Sequence, residues 1–316
     1  METFKLLLQR FLLLTILLLA FWFCWTNRST LSAVTQLPPT NLLLILLSYL
    51  FLFLFLLQAA MTCILLRNRG RVVPLLSLLT INAWFSLLAN ATLLKDGQTA
   101  GRAAALRQRF QVPLNLSLGL FALLSLAAIF TNAAAGIFTG VWGLLRQGQV
   151  IPPLYWLVLS TSMLLCVSIV LGIYRLGGVG KLSRKLQIWV ANLHAVFTGT
   201  NHNEVIGLIA MVTLTIVPRV LALSLLFKVF GAELPLIYLI YIAVFSNLFV
   251  ISVTPANLGL RELVILLLVG HLDITVVQLI CVLLVDRLLH FVVVLLLSLG
   301  GWHQLRQNKA PQTSPV

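Results

Sequence analysis

The chain has 316 residues, 60% of them hydrophobic and only 9% charged, with a mean hydropathy of +1.07; soluble domains carry about 25% charge, so a water-soluble fold is excluded. Membrane-length apolar segments take up so much of the chain that no soluble catalytic domain fits in the remainder. The net charge of +14, from 21 Lys and Arg against 7 Asp and Glu, lies mostly in short loops between apolar runs, which is the positive-inside pattern of a membrane protein and argues against nucleic acid as a partner.

The first apolar run, Leu6 to Trp25, follows Lys5 and Arg10 and is long enough to span. No small-x-small cleavage site comes after it, so a retained first span is expected. Further spans are predicted at Asn41 to Leu66, Pro113 to Leu145, Ile151 to Tyr174, Val205 to Phe227 and Ile274 to Gly300. Two runs are interrupted. Val72 to Leu94 contains Pro74, Asn82 and Asn90, and Pro235 to Val253 leads into Thr254-Pro255-Ala256-Asn257-Leu258-Gly259, a helix-breaking sequence at membrane depth. Cys24, Cys63, Cys166 and Cys281 each stand alone in apolar sequence and read as small hydrophobes; no metal and no cofactor are expected.

Loop charges decide which runs cross. The N-terminus, Arg67-Asn68-Arg69-Gly70-Arg71, the stretch Lys95 to Arg109, the stretch Arg175 to Lys185 and the tail with Arg306 and Lys309 are assigned to the cytoplasm. Because Val72 to Leu94 lies between two basic loops, it is expected to dip into the bilayer and return. By the same reasoning Pro235 to Leu268 dips from the opposite face. At an offset of 162, Gly97 aligns with Gly259 and Phe110-Gln111-Val112-Pro113 with Leu272-Asp273-Ile274-Thr275; shifted by two, Phe85-Ser86 matches Phe245-Ser246. Paired interrupted segments of opposite orientation mark an inverted-repeat transporter. The expected halves are about 1–174 and 205–305, with a short tail at 306–316. They are joined by a connector at 175–204 whose stretch Lys181 to Phe197 has the spacing of an interfacial amphipathic helix.

Ionisable residues at membrane depth are functional candidates. Asp286, Arg287 and His290 fall in the middle of the last span, where Asp or Arg costs about 2.5–3.5 kcal/mol. Adjacent residues on a helix do not face each other, so Asp286 and Arg287 each need a partner elsewhere. Asp286 can reach His290, and Arg287 or Arg219 is expected to meet Glu262. Arg219, following Pro218, has a second option, to snorkel to the interface. Pro255 stops a helix, Gly259 permits close approach, and Arg261-Glu262 begin the next helix, whose free amides favour an anion. In the first dip, Asn90, Gly97 and Arg102 are the matching candidates. No covalent catalytic constellation is found.

These two motifs resemble those of the family formed by the membrane region of lysylphosphatidylglycerol synthases and their stand-alone flippase-like relatives. Pro255-Ala256-Asn257-Leu258-Gly259-Leu260-Arg261-Glu262 is close to the family's Pro, glycine-rich, Gly-x-Arg-Glu signature, and Arg287 matches an intramembrane Arg in the last span. Asn90 through Gly97 to Arg102 looks like the family's first motif, with its Pro absent and Gln98 at its acidic position; Asn257 stands where the second motif has glycine. The resemblance implies a bundle with re-entrant helices that moves lipid between leaflets, without lipid aminoacylation.

The expected fold is an all-α integral membrane protein, a polytopic bundle of about six spans plus two re-entrant helical hairpins in an inverted repeat, in the cell membrane with both termini cytoplasmic. The expected substrate is an anionic lipid or a polyprenyl-phosphate-linked glycan. Its headgroup would be held by Asn90, Gly97, Arg102, Arg219, Pro255, Asn257, Gly259, Arg261, Glu262, Asp286 and Arg287. A membrane-embedded glycosyl or lipid transferase, or a non-transporting subunit of an envelope-assembly complex, are the alternatives; homo-oligomerisation or contact with envelope-biosynthesis enzymes fits each.

Overall fold

A computed structural model describes residues 25–26, 40–91, 96–148, 152–176, 190, 193–248 and 274–307. Eight helices organise them: α1 (Thr40–Arg67), α2 (Leu75–Ala91), α3 (Asp96–Phe110), α4 (Leu114–Gln147), α5 (Pro153–Leu176), α6 (His202–Val229), α7 (Leu236–Leu248) and α8 (Val276–Gln307). Among the described residues there is no strand. Among the described residues five segments are long and apolar enough to cross a membrane, namely Leu46–Arg67, Leu114–Arg146, Pro153–Arg175, His202–Val229 and Val276–Gly301. They coincide with five of the six expected spans. The sixth, Leu6 to Trp25, lies outside the described residues apart from Trp25, and so does most of the Lys181 to Phe197 connector.

Apolar side chains facing outward on α5, such as Leu157, Leu164 and Leu171, are what a helix in lipid requires, since hydrocarbon imposes no cost on them. The interior divides into two apolar clusters. One gathers α7 with the second half of α6 and the first part of α8, around Tyr155, Leu223, Tyr241 and Phe245; the other gathers α1, α2 and α3 with the end of α8, around Phe51, Leu66, Leu78 and Val294.

These clusters follow from a repeat. Thr40 and His202, Arg67 and Val229, and Leu114 and Val276 are element boundaries, each pair 162 positions apart. α1 and α6 also end identically. Gly70 (φ 69°) and Gly231 (φ 71°) take the left-handed conformation that glycine tolerates. Arg71 N–H then donates to Leu66 O at 2.9 Å, as Ala232 N–H donates to Phe227 O at 2.9 Å, closing both helices with the same wide turn. Pro74 and Pro235 follow, and their carbonyls accept from Leu78 and Leu239 in the first turns of α2 and α7.

Both of these second helices are short. At 17 and 13 residues they extend about 26 Å and about 20 Å, less than the roughly 30 Å hydrocarbon core. α2 folds back onto α3: Arg102 reaches Asn82, and Gly101 lies against the Phe85 ring, where a Cβ would overlap it. The pair forms an antiparallel hairpin that begins after α1 and ends before α4. The return arm expected after α7 lies outside the described residues.

The repeats are exchanged and opposed. α2 packs chiefly on α8, and α7 chiefly on α4. α1 and α6 run antiparallel, because Asn68 and Arg69 at the end of α1 meet Glu204 at the start of α6 while Phe51 lies beside Arg219. α1 and α6 therefore end on opposite sides of the bundle, and α2 and α7 enter it from opposite sides.

Candidate functional site

Pro218 lies inside α6, where it removes one backbone donor, and the residue after it, Arg219, turns inward. Its guanidinium meets Asp286 of α8 in a two-point pair, Nη1–Oδ1 at 2.5 Å and Nη2–Oδ2 at 2.6 Å, with the residues only 6% and 2% exposed. Phe51 of α1 lies 5.8 Å below the guanidinium. His290, one turn beyond Asp286, is set edge-on to Phe51 at 5.8 Å and tilted against Phe55 at 5.2 Å. Three helices thus converge on one fork-to-fork ion pair capped by aromatic rings. This geometry is the strongest available for opposite charges at low dielectric.

The pairing corrects two expectations. Arg219 does not snorkel outward, and Asp286, whose expected partner is His290, meets Arg219; Glu262 lies outside the described residues. Position 286 faces α6, and a carboxylate there neutralises the one arginine that the span buries most deeply. Arg287, one residue on and about 100° around the helix, is half-buried and takes part in other contacts of the bundle. Because Arg219 and Asp286 neutralise each other, neither is available to a headgroup in this arrangement.

A second polar group occupies the α2–α3 hairpin. Arg102 donates from Nη2 to Ser86 Oγ at 2.9 Å and to Asn82 O at 3.3 Å, while its Nε–H is buried without a partner. Asn90 and Gly97 fall on α2 and α3 near the hairpin's turn. Pro255, Asn257, Gly259, Arg261 and Glu262 lie outside the described residues. The structure therefore brings Arg219 and Asp286 together and places Arg102 in a separate cluster.

Other polar contacts carry little signal in the sequence. Asn247 at the end of α7 donates to Asn132 Oδ1 of α4 at 3.2 Å, an amide bridge between the exchanged repeats. α4 admits α7 through Gly136 and Gly140, where a Cβ would come within 3.2 Å of Val244 and 2.8 Å of the Tyr241 hydroxyl. A Gly-x-x-x-Gly spacing in an apolar helix is a sequence mark for such close approach.

At the end of the bundle where α1 stops and α6 starts, Glu204 accepts from Asn68 at 2.7 Å and pairs with Arg69 at 3.5 Å, and Arg69 also donates to Thr200 at 2.9 Å. This latch ties the two central helices together. Among the described residues no cluster of His, Cys, Asp and Glu could hold a metal ion.

No family model matches the chain, and neither the curated proteins nor the solved structures include a detectable match.

Proposed function

We propose that the chain is a flippase-like protein that moves an anionic lipid or a polyprenyl-phosphate-linked glycan between leaflets. The supporting observation is the opposed pair α2 and α7: two helices too short to cross, introduced by the same Gly-x-x-x-Pro turn, entering from opposite ends of an inverted, exchanged repeat. Such repeats give two nearly equivalent arrangements, one open to each face, and rocking between them is alternating access. The Arg219–Asp286 pair serves this as a fixed internal tie, since a neutralised pair can stay at membrane depth while surrounding helices move. The resemblance to the lysylphosphatidylglycerol synthase membrane region points the same way.

Purified protein in liposomes with fluorescent phospholipids tests the reading. Dithionite quenches only label in the outer leaflet, so a flippase makes inner-leaflet label accessible without any second substrate. A transferase requires a donor and yields a new lipid, and an assembly subunit does neither alone. Failure to move any anionic lipid tried would remove the proposal.

A further inference from the structure

The turns that close α1 and α6 share a backbone path but differ in what lies beneath them. Under the first, the Cys63 thiol of α1 donates to Val73 O at 3.3 Å and ties the helix to its turn. The residues 161 positions further on are Ser224 and Leu234. Among the described residues the Ser224 hydroxyl makes no such bond, and Ser224 and Leu234 both line a cavity of about 300 Å³ between α6, the turn and the start of α7. That volume is at the small end of ligand pockets.

The walls of this cavity change character with depth. Phe227 of α6 and Leu239 of α7, both buried, give it an apolar interior, and Leu236 leaves its side open to lipid at 62% exposure. Its outer end carries both signs of charge, Lys228 on the last turn of α6 and Glu233 in the turn itself; both are exposed, and neither forms an ion pair among the described residues. Ser224 lies one turn deeper than Lys228, about 6 Å along the helix. α7 also begins here, and the first amides of a helix lack an intrahelical acceptor and favour an anion. The order from the surface inward is therefore carboxylate, ammonium, hydroxyl, apolar wall. An aminophospholipid at the headgroup–acyl boundary presents the complementary order: ammonium, phosphate, ester carbonyl, acyl chain. The equivalent positions of the first turn, Arg67 and Val72, lack the carboxylate, so only the α6–α7 turn offers a seat for the ammonium.

We propose that this cavity is a binding site for the headgroup of a zwitterionic aminophospholipid, with its ammonium on Glu233, its phosphate between Lys228 and the start of α7, and an ester carbonyl on the Ser224 hydroxyl. The site rests on no part of the translocation reading, and either outcome of the liposome assay leaves it standing. Native mass spectrometry of the full chain in detergent, with phosphatidylethanolamine and with phosphatidylglycerol, tests it.

The unaltered chain is expected to retain phosphatidylethanolamine more strongly than phosphatidylglycerol. Glu233→Gln should lower retention of phosphatidylethanolamine about two- to fivefold, the range of an exposed ion pair, and leave phosphatidylglycerol as it was. Lys228→Gln should weaken both lipids. Ser224→Leu, which fills the cavity and alters no charge, should weaken both as well. Lys228 and Glu233 are exposed, so their variants separate loss of the site from loss of the fold. Equal retention of the two lipids, sensitive to Lys228→Gln and not to Glu233→Gln, would make this a seat for phosphate alone and overturn the zwitterionic assignment. Displacement of the lipid by an equal concentration of water-soluble phosphoethanolamine would overturn the lipid as occupant, and unchanged retention in all three variants would overturn the site.

Discussion

Arg219 of α6 and Asp286 of α8 lie 67 positions apart and meet through two parallel hydrogen bonds inside the bundle, where both residues are buried. Asp286→Asn keeps the shape and removes the charge, so Arg219 becomes a buried cation without a counter-ion. The expected cost is about 3–5 kcal/mol, while replacing both members with apolar residues of similar volume, Arg219→Met with Asp286→Leu, is expected to be close to neutral. Thermal unfolding in detergent, followed by the fluorescence of the chain's tryptophans, checks both. A single variant as stable as wild type would show that the pair is not sealed.

The exchanged repeat makes a second prediction. Gly140 of α4 accommodates Tyr241 of α7, and Gly301 of α8 accommodates Thr80 of α2; the two glycines are 161 positions apart, as are the two residues they admit. Any Cβ at 301 overlaps the Thr80 side chain. Gly301→Ala should therefore destabilise by about 1–3 kcal/mol through overpacking. Thr80→Ala removes two of the three obstructing atoms, so the double variant should recover part of the loss. Equal losses with and without Thr80→Ala would show that α8 and α2 do not meet there.

Much of this arrangement is legible in the amino-acid sequence. Unbroken apolar runs set the bounds of α1, α4, α5, α6 and α8, because a span must satisfy its own backbone and hydrocarbon tolerates little polarity. The repeat is visible in Gly97 with Gly259, 162 positions apart, and in Phe85-Ser86 with Phe245-Ser246, 160 apart, yet the sharper marker, Gly70-x-x-x-Pro74 against Gly231-x-x-x-Pro235, emerges only when the turn geometry gives those residues a reason. The partner of Arg219 is not legible. Ionic pairing between helices depends on which faces meet, and neither periodicity nor spacing encodes that over 67 positions. For the same reason Asn82 and Arg102 read as separate polar residues along the chain, with no hint that Ser86 joins them.

The latch between Asn68, Arg69 and Glu204 ties the ends of α1 and α6. Glu204 also accepts from the Asn201 backbone amide in a capping box, a role that glutamine fills as well. Glu204→Gln thus removes the charge pairing and spares the helix cap. Its effect on global stability should be under about 1 kcal/mol, as for other partly exposed ion pairs. Under the alternating-access reading its effect on opening should be larger. A cysteine at Val212, buried beneath the latch, is expected to react faster with maleimide in Glu204→Gln than in an otherwise unaltered chain. About 1 M salt, where the screening length is about 3 Å, should accelerate the unaltered chain similarly. Equal reactivity in all three would leave the latch without a gating role.

Orientation provides the last test. If α2 and α3 form a hairpin that enters and leaves on one side, Val72, which is 82% exposed just before α2, and Gln108, exposed near the end of α3, share a face of the membrane. Glu233, in the turn between α6 and α7, belongs to the other face, because α6 runs antiparallel to α1 and ends at the far side of the bundle. Single cysteines at these three positions, labelled in intact and in permeabilised cells with a membrane-impermeant maleimide, should divide two against one. The positive-inside bias further assigns positions 72 and 108 to the cytoplasm, since Arg67, Arg69, Arg71, Arg107 and Arg109 flank them, so they should label only after permeabilisation. Labelling of 72 and 108 from opposite faces would make α2 or α3 a crossing element. It would also reverse every span after them and leave α2 and α7 entering from the same side, which an inverted repeat forbids.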